Sequence, residues 1–159
     1  MPNWAETEIA AVMPAKNANR FLDLFLSWDG KGNENKKEYF GRSFLTDSHI
    51  EDNGKGMCCV RVSCNCAWSA NSCLVKGYPD NTEKGTHCCN LKEAIDRLNI
   101  RRLALYAREP LIGFEERANY DRDSDNGKLT YDDRDLFPDP WCEYCDEDEV
   151  EDESESPEL

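Results

Sequence analysis

The 159-residue sequence has no long apolar run, only two histidines and a shortage of positive charge. Its most apolar short stretch lies around Phe21–Leu26, far below the ~20 residues that a membrane-spanning helix needs. A membrane span is therefore not expected. The opening "MPNWAETEIAAV" has no basic segment leading into an apolar one, so no signal peptide is expected and the predicted location is cytoplasmic. Thiols stay reduced there, and nine cysteines is an odd number, so a fully paired disulfide framework is excluded. No P-loop, G-x-S-x-G or H-E-x-x-H is present, and His49 and His87 fall in expected loops without a motif partner. These absences predict a protein that is not an enzyme.

What is abundant is acid. The net charge is −14, from 33 acidic and 19 basic residues. Fourteen of the acids lie from Asp132 onward against one base, Arg134, whereas the first 131 residues are close to neutral. A block of like charge with almost no apolar residue cannot offset its chain entropy. The sequence therefore predicts a folded domain over residues 1–138 and an acidic tail over 139–159, disordered from about Asp146.

Within the domain the hydrophobic pattern changes period. "NWAETEIAAV" alternates and predicts a strand over about Trp4–Val12. Phe21, Leu24, Phe25 and Trp28 follow a helical spacing. "EYFGRSFLT" suggests a short strand. "MCCVRVSCNCAW" places Cys58, Val60, Val62, Cys64, Cys66 and Trp68 on one side of a long strand, and Cys59 on the other. "NLKEAIDRLN" is an amphipathic helix with Asn90 and Glu93 as a capping pair. "IRRLALYARE" is a strand, and two more flank the turn at Asp125-Asn126-Gly127. The order predicts an α+β, ferredoxin-like βαββαβ sheet with helices on one face, plus a C-terminal β-hairpin.

Several motifs carry a resemblance. "MPNW" opens the chain, "CAWS" spans residues 66–69, "LYAREPLIGFEE" spans 105–116 and "NGKL" spans 126–129. Over roughly residues 1–133 the chain resembles a family of small phage and prophage proteins with a ferredoxin-like domain. It departs from that pattern at Ala5 and at "ANSC", where the family carries paired prolines. The resemblance implies the fold and a mobile-element origin in a bacterial host; it implies no known enzyme activity, so no catalytic residues are carried over.

Three kinds of chemistry compete for the remaining residues. The C-x-x-C of Cys142 and Cys145 offers two sulfur donors for zinc, and "HCC" at His87–Cys89 offers the other half, with Cys73 as a spare. Cys58, Cys64 and Cys66 are expected to act as small core residues instead. A redox role for Cys142 and Cys145 is opposed by the surrounding carboxylates, which disfavour a thiolate. Arg97, Arg101, Arg102 and Arg108 with Tyr106 suggest nucleic-acid contact, but the acidic tail opposes phosphates, so direct binding is not expected. The tail itself is the sharpest feature. Glu143, Asp146, Glu147, Asp148, Glu149, Glu151, Asp152 and Glu153 can compete with phosphates for a Lys/Arg surface. The expected partner is a basic, nucleic-acid-binding host protein such as a defence nuclease, bound in an anti-restriction or anti-CRISPR manner. A small zinc-binding module and a nucleic-acid-binding module are the alternatives, no cofactor is otherwise expected, and a homodimer through the sheet remains open.

Overall fold

The structure, a computed structural model, describes residues 2–136. Cys142, Cys145 and the acidic residues from Asp139 onward lie outside them. The strands are β1 (Trp4–Pro14), β2 (Leu26–Ser27), β3 (Glu38–Phe40), β4 (Ser43–Asp52), β5 (Met57–Ala67), β6 (His87–Cys89), β7 (Arg102–Glu109), β8 (Phe114–Asp121) and β9 (Thr130–Asp135). The helices are α1 (Ala18–Leu22) and α2 (Leu91–Leu98). Seven strands form one mixed α+β sheet in the order β2-β4-β5-β1-β7-β8-β9, and β3 pairs with β6 apart from it. Within the large sheet every pairing is antiparallel except that of β2 with β4. No helix among the described residues is long and apolar enough to cross a membrane.

Alternation decides which face of the sheet is buried. Ala5, Thr7, Ile9, Ala11 and Met13 of β1 point into the core, as do Cys58, Val60, Val62, Cys64 and Cys66 of β5 and Leu103, Leu105 and Ala107 of β7. Leu91, Ala94, Ile95 and Leu98 of α2 and Phe21 of α1 join the same cluster. Each Val, Leu, Ile, Met or Phe side chain among them contributes roughly 1.5–3 kcal/mol on burial. Phe40 sits edge-on between Phe21 and Phe25, with ring centroids 6.1 and 5.0 Å away. The opposite face presents Glu6, Glu8, Arg61, Arg102 and Arg108, and no helix among the described residues covers it.

Helix α2 starts where its capping pair places it. Asn90 Oδ1 accepts from the Glu93 N–H at 2.9 Å, and Glu93 Oε1 accepts from the Asn90 N–H at 3.1 Å. It ends at Asn99 in the left-handed region. The first helix is shorter than its spacing predicts. It stops at Leu22, because the Leu24 carbonyl accepts from Phe40 N–H at 2.6 Å and Leu26–Ser27 pairs with β4. "EYFGRSFLT" divides between β3 and β4, and His49, expected in a loop, lies on β4 opposite Arg61.

Cys64 and Cys66 of β5 form a buried group with Cys73. Cys66 Sγ lies 3.5 Å from Thr7 Oγ1 and 3.6 Å from Ser43 Oγ, with Cys64 and Cys73 as further hydrogen-bonding neighbours. Hydrogen bonding to Cys66 and burial both push the Cys64 and Cys73 thiols well up, so both stay protonated.

Candidate functional site

Three of the four motifs behind the family resemblance, "MPNW", "CAWS" and "LYAREPLIGFEE", are more than thirty residues apart in sequence, yet they meet at one end of the sheet. Asn3 and Trp4 stand beside the end of β5: Trp4 is opposite Ala67, and the Asn3 carbonyl accepts from Trp68 N–H at 2.7 Å. The β7–β8 turn closes the same end, because β1 and β7 run antiparallel with Glu6 opposite Arg108. The Glu109 side chain is fully buried and accepts from the Ile112 N–H at 3.0 Å and from the Leu111 N–H. A carboxylate that satisfies two turn amides in this way fixes the loop tightly. The apolar side chains of the turn then have nowhere to go but outward.

Exposure follows from that geometry. Leu111 and Ile112 are 78% and 67% exposed, and Trp68 and Trp28 are 48% and 53% exposed. These are four of the five exposed large apolar side chains among the described residues, and all four lie at this end. Leu111 and Ile112 protrude side by side from one turn, while Trp28 and Trp68 stand nearer β2, β4 and β5. Trp28 is held in place by Trp4 and Phe44, with ring centroids 5.3 and 5.7 Å away in edge-on geometry.

Trp68 is strained as well as exposed. Its φ is +72°, a region that costs a bulky residue about 1–3 kcal/mol. The surrounding bonds enforce it. Ser69 Oγ accepts from the Ser72 N–H at 3.0 Å, which ties the chain after Trp68 to the helical turn Asn71–Val75. Glu116, 1% exposed, accepts at 2.8 Å from each of Ala70 N–H, Asn71 N–H and Tyr131 O–H. The "GFEE" residues therefore anchor the segment that presents the tryptophan of "CAWS".

The last described residue also lies here. Leu136 N–H donates to the Gly113 carbonyl at 2.7 Å, next to Ile112.

The uncovered sheet face is different in kind. A shallow depression of ≈ 390 Å³ is lined by Glu8, Asp47, His49, Arg61 and Tyr106 among others. The Arg117 guanidinium lies 4.8 Å over the Tyr106 ring, and the Tyr106 hydroxyl donates to Glu115 at 3.1 Å. That ring is therefore already stacked, which removes the most obvious platform for a base. Of the arginines singled out in the sequence, Arg102 and Arg108 lie on this face, while Arg97 belongs to α2.

The zinc candidates separate. Cys73 is buried among Cys64 and Cys66, with its thiol donating to the Ala67 carbonyl at 3.3 Å. His87 lies on β6, with Nδ1 2.9 Å from Asp80 Oδ1 and Nε2 2.7 Å from Glu93 Oε2. These bonds, above all the one to Glu93, raise its pKa against the opposing effect of burial. The donor atoms of His87, Cys89 and Glu93 all lie within 4.8 Å of one another. Burial pushes the Cys89 thiol up to about 12 and holds it protonated. Cys142 and Cys145 lie outside the described residues, as do Glu143, Asp146, Glu147, Asp148, Glu149, Glu151, Asp152 and Glu153.

Sequence reasoning missed Leu111 and Ile112, whose only signal was two apolar residues between Pro110 and Gly113 in a turn. It also missed Asp80 and took Glu93 for a cap alone. No protein-family model, curated protein or solved structure matches the chain.

Proposed function

We propose that the protein is a non-enzymatic binding module of a phage or other mobile element. It captures a basic, nucleic-acid-binding protein of the bacterial host, such as a defence nuclease, and blocks it. The scaffold is a ferredoxin-like core with β8 and β9 added as a hairpin. The strand order β4-β5-β1-β7, with α1 following β1 and α2 following β5, supports that assignment. The observation that carries the function is the bond from Leu136 to Gly113. It sets Leu136, which precedes the acidic residues 139–159 in the sequence, beside the exposed Leu111–Ile112 turn.

The two parts divide the work. Carboxylates such as Glu143, Asp146 and Asp152 attract a Lys/Arg surface over about a Debye length, ~8–10 Å in physiological salt, and raise the encounter rate. Leu111, Ile112, Trp68 and Trp28 then supply apolar contact that salt does not screen. An interface with aromatic anchors at its centre and charge at its rim follows the usual anatomy of protein recognition.

The test is capture from host lysate with the full chain, a chain truncated after residue 138, and a Leu111→Ser/Ile112→Ser variant. A basic nuclease or nucleic-acid-binding protein retained by the full chain is expected. Truncation should slow its association and flatten the salt dependence, and the double substitution should shorten its residence. Capture unaffected by either change, or retention of no basic protein at low salt, overturns the reading.

A further inference from the structure

We propose that His87 Nε2, Cys89 Sγ and Glu93 Oε2 form a site for a zinc-class divalent cation, with Asp80 as the group that orients His87. The three donors come from two rigid elements. His87 and Cys89 are two apart on β6 and so fall on one side of it, and Glu93 is in the first turn of α2. Their donor atoms already lie within 4.8 Å of one another.

Each donor is aimed by a neighbour. Asp80 Oδ1 accepts from the Cys88 backbone N–H at 2.9 Å and contacts His87 Nδ1 at the same distance. A carboxylate on the far nitrogen of an imidazole is the arrangement that fixes a metal-binding histidine and raises its basicity. Glu93 is divided between two tasks. Its Oε1 accepts from the Asn90 N–H in the capping pair, which leaves Oε2 turned to His87. Cys89 is buried but faces a cleft of ≈ 350 Å³, lined by Glu38, Leu24, Ala94 and Arg97, through which an ion can arrive.

The donor set selects the ion. One sulfur, one nitrogen and one carboxylate oxygen suit zinc and its tetrahedral relatives, whereas calcium and magnesium require oxygen throughout. Three protein ligands leave a fourth position on the cleft side for water or for Glu38, whose Oε1 is 3.6 Å from Cys89 Sγ. Loading releases the Cys89 thiol proton and the proton shared at His87 Nε2 to solvent, and no atom changes oxidation state. The thiolate and the Glu93 carboxylate together balance the double positive charge. Arg97, 3.2 Å from Glu93 Oε2, is the cation that the metal must displace from that oxygen. The site does not depend on the partner-binding reading, since it lies on β6 and α2 and uses none of the exposed apolar residues.

The test is titration of the reduced full chain with Co²⁺ alone, followed by Zn²⁺ competition. A Cys142→Ser/Cys145→Ser background removes the other C-x-x-C. Thiolate-to-cobalt charge transfer and tetrahedral ligand-field bands are expected there, abolished by Cys89→Ser or His87→Ala. Asp80→Asn should weaken binding roughly 10–100-fold. Because Cys89 is buried and its variant could misfold, the half-exposed His87→Ala, checked by circular dichroism, decides the matter. Absence of the charge-transfer band in the serine background, or its survival in folded His87→Ala, overturns the site.

Discussion

Replacing Glu116 tests whether the "GFEE" motif builds the exposed end of the sheet. The carboxylate is 1% exposed and receives three donors, two of them the backbone amides of Ala70 and Asn71. In Glu116→Ala the buried Ala70 N–H loses its only side-chain acceptor, at a cost of about 1–3 kcal/mol for the desolvated group. Asn71 is half-buried and can recover part of its bond from water, and the Tyr131 hydroxyl can turn to Asp133, 3.3 Å away. With the lost packing, a total near 3 kcal/mol follows, a large share of the ~5–15 kcal/mol that holds a domain together. Glu116→Gln keeps the shape but turns one acceptor into a donor facing an N–H, and should cost roughly half as much. Urea titration at neutral pH measures both, with an unchanged slope showing that the unfolding reaction is the same. Hydrogen exchange at Ala70 and Asn71 should quicken in step. Glu116→Ala within about 0.5 kcal/mol of the parent would refute the reasoning, since that is the range of an unimportant surface change.

Other expectations follow from the same geometry. Trp68→Gly removes a half-exposed ring but relieves a φ of +72°, so urea stability should stay within about 1 kcal/mol of the parent while partner capture falls. Phe40→Ala opens the space between Phe21 and Phe25 and should cost about 3–5 kcal/mol, read from the urea midpoint. In the metal-free chain the His87 bridge depends on pH with a definite sign. The raised His87 pKa gives a contribution that is full below its ordinary value of 6.5 and lost as pH climbs through the raised one. The Cys88 amide and His87 lower Asp80, and the His87 bond lowers Glu93 against burial, so their contributions fade only in stronger acid. His87→Ala should therefore cost most near pH ~5.5 and least above pH ~8, measured by denaturation across that range. Leu111→Ser/Ile112→Ser should leave thermal stability unchanged, because neither side chain is packed against the core.

Legibility in the sequence tracked the length of each repeating pattern. The strands β1 and β5 each show five alternating core positions, and α2 shows a full apolar stripe behind a two-way cap, so their periods are visible without context. The strands β3 and β6 have three residues each, too few to display a period, and they exist because they pair with each other. The helical spacing of Phe21, Leu24, Phe25 and Trp28 was real, yet only Phe21 lies within α1. Tertiary contacts won there: Phe40 takes the Leu24 carbonyl, and Trp28 joins Trp4 and Phe44. The candidate sites were harder still. Asp80 stands seven residues before His87 in a loop, and Glu93 satisfies a cap with one oxygen and a histidine with the other. A capping pattern explains the residue completely, so nothing in the sequence asks for its second role.

Among the described residues strand β9 ends the large sheet on one side, and its outer edge reads Thr-Tyr-Asp-Asp-Arg-Asp. An open edge is a template on which a further strand can add, from this chain or any other. Three carboxylates in six residues make that addition costly between identical copies. The far margin is similar, with Asp47, Glu51 and Asp52 along β4 beyond the two residues that β2 covers. Carboxylates at both margins thus disfavour edge-to-edge pairing of identical copies. Concentrated salt, which shortens the reach of these charges to ~3 Å at 1 M, should be the condition under which copies begin to join edge to edge into fibres.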